Sequence, residues 1–83
     1  MDKKKIYEFS LGLKKLIANQ DMAIVEKKIK DANLSQEELD FLFMCLHSDG
    51  YDSKTGHFSL FESDNSAFLQ LVNLVQSNIK DKK

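Results

Sequence analysis

Apolar residues recur at helical spacing over four stretches of the chain and alternate over one short stretch. Ile6, Phe9, Leu13, Leu16 and Ile17 stand three or four apart and predict a helix over about 3–18, with Asp2 placed to cap it. Gly12 interrupts this pattern at a cost of about 1 kcal/mol against alanine. It marks either a close helix contact or, more simply, a tolerated surface glycine. Asn19-Gln20-Asp21 breaks the helix, and Asp21 is placed to cap the next one. Met22, Val25, Ile29 and Ala32 form one stripe and predict a second helix over about 22–32.

After a short turn at Asn33-Leu34, Ser35 followed by Glu38 is the signature of a capping box. The third helix then runs to about His47. Its segment Phe41-Leu42-Phe43-Met44-Cys45-Leu46 is apolar on every side, so it is either central to the core or shows a second face to a partner. Asp49-Gly50 ends it. Tyr51 and Phe58 flank Asp52-Ser53-Lys54-Thr55-Gly56, a turn that glycine closes in a left-handed position, and His57-Phe58-Ser59-Leu60 alternates as a strand does. Such a short hairpin needs the helices beneath it for stability. Ser63 or Asp64 is placed to cap a last helix to about Ile79. Its stripe is Phe68, Leu71, Val72, Val75 and Ile79, with Leu69 and Leu74 beside or behind it. The expectation is one mainly α domain over residues 1–83, with three helices, a short β-hairpin and a C-terminal helix.

Charge changes this picture more than composition does. The 83 residues are 42% hydrophobic and 30% charged, ordinary values for a globular chain. Net charge is −1, but residues 35–64 hold seven acids and one lysine, a net of −6, and the rest of the chain is correspondingly basic. All basic residues other than histidine are lysine. The single Cys45 fits a reducing cytoplasm. Lys3, Lys4 and Lys5 imitate the charged start of a secretory leader, but Glu8, Gly12, Lys14 and Lys15 break the apolar run that should follow. No stretch approaches the ~18 apolar residues of a membrane span.

Helix, helix, short turn, helix and hairpin is also the order of a winged helix-turn-helix domain. An apolar residue, a glycine and an aromatic follow Ser35 at the expected offsets as Leu46, Gly50 and Tyr51. Residues 22–61 therefore resemble helix 2, turn, helix 3 and wing, and the chain is similar to small winged-helix proteins of the prophage type. The resemblance implies a DNA-facing set of Gln36, Glu37, Asp40, Phe41 and Met44. Two of these are acids and two are large apolar groups. Carboxylates repel phosphate, which supplies most of the affinity in DNA binding, and without arginine the commonest guanine contact is missing.

Chemical motifs are scarce. Gly56 and Glu62 fit positions 6 and 12 of an EF-hand loop, but position 1 would be Tyr51, where a carboxylate is required. Cys45 and His47 lie about 200° apart around a helix and do not converge on a metal, and neither His47 nor His57 has an evident role as base to Cys45. No catalytic residue, metal site or cofactor is expected.

Two functions remain. The first is a non-catalytic module that binds a basic protein through Glu37, Glu38, Asp40, Phe41, Met44, Asp49 and Asp52, in the manner of a small phage- or plasmid-type inhibitor or immunity protein. The second is a dimeric DNA-binding regulator that uses Ser35, Gln36 and Lys54, with Lys27, Lys28 and Lys30 on phosphate. Leu69 and Leu74 give the last helix spare apolar surface, which fits a homodimer contact as well as packing within the chain.

Overall fold

A computed structural model of the chain describes residues 2–59 and 66–80. Its elements are α1 (Lys3–Ala18), α2 (Met22–Asp31), α3 (Gln36–Leu46), β1 (Gly50–Asp52), β2 (His57–Ser59) and α4 (Ser66–Lys80). The fold is mainly α with one antiparallel hairpin. The positions proposed to cap α4, Ser63 and Asp64, lie outside the described residues.

The helix boundaries follow from local chemistry. The Asp2 carboxylate accepts the Lys5 N–H at 2.8 Å and closes the first turn of α1. At the other end Gln20 takes a left-handed φ of 63°. Its N–H donates to the Ile17 carbonyl and the Asp21 N–H to the Leu16 carbonyl, both at 2.9 Å. This paired closure usually uses glycine at the left-handed residue. Asn33, with φ 54°, ends α2 in a similar conformation and is better suited to it. Asp21 stands at the start of α2, but its side chain makes no capping hydrogen bond there.

The apolar stripes converge on one core. Ile6, Leu13 and Ile17 of α1 meet Val25 and Ile29 of α2, Leu42, Phe43 and Leu46 of α3, and Val72 and Val75 of α4. Phe9, Leu16, Met22, Phe68, Leu71 and Ile79 pack around them. Helix α1 is the hub. It packs most extensively on α3 and also meets α2 and α4, and α4 rests on α2. A hydrogen bond of 3.1 Å from the Asn78 amide to the Glu26 carboxylate ties α4 to α2 at their polar edge.

In the hairpin, Gly50 pairs with Ser59, Tyr51 with Phe58 and Asp52 with His57. Gly56 has the expected left-handed φ of 74°, and its N–H donates to the Asp52 carbonyl at 2.8 Å. A Cβ there would be strained by φ alone. The Asp49 N–H donates to the Ser59 carbonyl at 2.8 Å and extends the ladder back to the end of α3.

Candidate interaction surface

The acidic face begins at the first turn of α3. The capping box is complete: the Ser35 hydroxyl accepts the Glu38 N–H at 3.2 Å, and the Glu38 carboxylate accepts the Ser35 N–H at 2.9 Å. Glu38 therefore holds the helix end. Glu37 is exposed one residue earlier and has no hydrogen bond among the described residues. Asp40 is exposed and accepts the Gln36 amide at 2.9 Å, one turn away. Asp52 is exposed, but its carboxylate accepts the Lys54 N–H at 2.9 Å and shapes the hairpin turn. Of the acids of α3 proposed for partner contact, Glu37 and Asp40 are thus less occupied with local structure than Glu38, and Asp49 beyond the helix is exposed as well.

Phe41 and Met44 separate at this point. Met44 is 52% exposed, the most open large apolar side chain among the described residues. Phe41 is half-buried, because the hairpin folds over it. Its ring meets Tyr51 edge-on at 5.1 Å between centroids and Phe58 at 5.7 Å, and Tyr51 lies 4.9 Å from Phe58 and 6.0 Å from Tyr7 of α1. These separations are those of favourable aromatic pairs. The rings of the hairpin therefore cover Phe41. The Lys3 ammonium sits over the Phe41 ring, 5.7 Å from its centroid. Neither Lys3 nor Tyr7 was implicated by the apolar pattern. One signal did point to Lys3: α1 opens with three lysines and has no acid in its first turn, where the helix dipole favours anions.

The far end of α3 is closed by tertiary contacts. Its last turn contains no basic residue. Lys14 of α1 fills that role, its ammonium donating to the Ser48 carbonyl at 2.7 Å. Burial lowers the Lys14 pKa, and the nearby Asp49 carboxylate partly restores it. Ser48 is buried and donates to the Cys45 carbonyl at 3.1 Å. Cys45 itself is fully buried, and burial pushes its thiol up to about 11. A thiol placed in this way is protonated at neutral pH and closed to solvent, which makes it core material and not a nucleophile. His47 Nε2 lies 3.4 Å from the side-chain amide oxygen Oε1 of Gln76, so the imidazole at the end of α3 meets α4.

The residues of the DNA-binding alternative are more scattered. The Ser35 hydroxyl and Gln36 amide are engaged within the first turn of α3. Lys54 is exposed at the hairpin turn, and Lys27, Lys28 and Lys30 are exposed on α2. Lys28 borders an open groove of about 410 Å³ between α1 and α2 with Phe9, Gly12 and Leu16. Lys30 borders a different one with Ile29, Leu34 and Ile79. On α4, Leu74 is 50% exposed and Leu69 is half-buried. Among the described residues no helix is long and apolar enough to cross a membrane.

Comparison of the chain with known protein families, with characterised proteins and with solved structures returns no match.

Proposed function

We propose that this chain is a non-catalytic interaction module of the cytoplasm, on a winged-helix-like scaffold, that binds a basic protein partner through the exposed side of α3. The observation that carries this reading is the row Glu37, Asp40 and Met44, at spacings of three and four along α3. Two exposed carboxylates lie beside the most open large apolar side chain of the described residues. Such a row offers charge for steering and an apolar anchor for contact. A small phage- or plasmid-type inhibitor or immunity protein has this character.

The test is capture from a lysate of the native host on immobilised wild type and on the Glu37→Lys/Asp40→Lys variant. Retention of a basic protein by the wild type alone supports the reading, and equal retention by both removes this face as the site.

The order of the elements favours a second reading, a dimeric winged-helix regulator of transcription, with Lys54 at the tip of the wing and Leu74 in the α4 contact. DNA binding would then fall steeply with salt. Absence of a gel shift on host or operon DNA at low salt removes it, and a monomeric mass in solution removes the α4 contact.

A further inference from the structure

We infer that the face of the Phe41 ring is a seat for a lysine or arginine side chain of the partner, and that Lys3 is an internal occupant which that side chain displaces. The inference rests on the reading that the exposed side of α3 binds a basic protein. It adds the contact that recognises the partner's cation and a contact within the chain that opposes binding.

The seat is built by packing. Tyr51 holds the Phe41 ring edge-on, with interplanar angle 88°, and Phe58 lies tilted beside it. A ring held in this way keeps its electron-rich face in a fixed direction, and the Lys3 ammonium is drawn to it at 5.7 Å, within the range of cation–π attraction. The structure therefore already contains a cation on this ring. The neighbours complete a site for a long basic side chain. Asp40 precedes Phe41 and supplies an exposed carboxylate, and Met44 lies one turn on with its flexible thioether open to solvent. Charge complementarity sets the occupant's sign, since the segment that contains the seat carries a net of −6.

Lys3 is a poorly placed occupant. It is the first residue of α1, preceded by the Asp2 carboxylate that caps the helix and followed by Lys4 and Lys5, with no acid within the first turn itself. The positive end of the helix dipole and two neighbouring ammonium groups all disfavour a cation there. A partner's lysine or arginine meets the same field at the ring, and gains instead from the further contacts its own chain makes along the exposed row of Glu37, Asp40 and Met44. Lys3 thus keeps the ring face covered until a cation with those further contacts arrives.

The experiment uses the whole chain and a blocked peptide of alternating arginine and glycine as the probe, with a glutamate–glycine peptide as control. In the unliganded protein the Lys3 ε-methylene proton signals should lie upfield of the free-lysine position because of the Phe41 ring. They should return toward that position as the basic peptide is added. Lys3→Gln should bind the peptide about two- to fivefold more tightly than wild type. Lys4→Gln, which removes the same charge one residue away, should give a clearly smaller gain. Equal gains from both variants, or Lys3 signals that do not move while the peptide binds, would overturn the seat and leave the acidic face standing as the site. No binding of the basic peptide by wild type or by either variant would overturn the seat together with the reading beneath it.

Discussion

The two ends of α3 are closed by different means. The N-terminal end is closed by its own residues, Ser35 and Glu38, three positions apart, in a reciprocal cap. The C-terminal end is closed from a distance by Lys14, 34 residues earlier in the chain, and by the buried Ser48. The first arrangement leaves the surrounding side chains, Glu37 and Asp40, open to solvent. The second places Cys45, Leu46 and Ser48 inside the molecule. A locally closed helix end has a surface available for a partner, whereas a helix end closed by its neighbours has already used that surface for folding. This difference is why Glu37 and Asp40 are available to the proposed contact while Cys45 is enclosed in the core and His47 meets Gln76. Met44, near the far end of α3, stays open because it shares the outward face of the two acids.

The comparison can be broken most forcefully at the buried end. Leu46 is fully buried in the shared core. Leu46→Ala should cost about 2–5 kcal/mol, from lost transfer energy and the cavity left behind, measured by urea unfolding at neutral pH. A cost below 1 kcal/mol would mean that this end of α3 is not the anchor described.

Lys14→Met should have the next largest effect. It keeps the apolar stem but leaves the Ser48 carbonyl without its ammonium donor, a loss of about 1–2 kcal/mol. The pH dependence has a definite sign. Burial lowers the native pKa of Lys14 below 10.5, so the unfolded chain binds the proton more tightly. Wild-type stability from this group therefore rises as pH climbs from the native value toward 10.5. Lys14→Met lacks that rise, so the gap between the two proteins should widen with pH over that window. The Cys45 thiol acts in the opposite sense above 9.0 and is present in both proteins. The Lys14 charge holds its pKa down, so Lys14→Met strengthens that opposite slope in the variant and adds to the widening. A gap that narrows would show that the amine is not desolvated in the folded state.

Ser35→Ala tests the other end. Losing the cap should cost about 1 kcal/mol, less than either change at the buried end and with no pH dependence of the Lys14 kind. These contrasts also mark what was legible in the sequence. The cap, the stripes of the helices and the turn at Gly56 are short-range patterns, and the structure places them where their spacing put them. The partner across each stripe was not legible. Periodicity showed that Phe41 needed cover but not that Tyr51 and Phe58 of the hairpin would provide it. Nothing in the apolar pattern tied Lys14 to Ser48 or Lys3 to Phe41, because these contacts join residues far apart in the chain. Asp21 shows the converse: it has the right residue type at the right position, yet its side chain makes no cap bond.

The smallest expected effect on folding lies on the exposed row itself. Met44→Gln removes an apolar surface that is 52% open, and Glu37→Gln removes a carboxylate with no hydrogen bond among the described residues. Each should shift stability by no more than about 0.5 kcal/mol, as surface substitutions usually do. If the row is a docking face, the same two changes should weaken binding of the basic partner by more than they weaken folding. Met44→Gln should act mainly on dissociation and Glu37→Gln mainly on association and its salt dependence. A Met44→Gln protein that lost stability like Leu46→Ala would place that side chain in the core, and the outward row of Glu37, Asp40 and Met44 would fall. Unchanged stability together with slower association for Glu37→Gln and faster dissociation for Met44→Gln would separate steering from anchoring within one helical face.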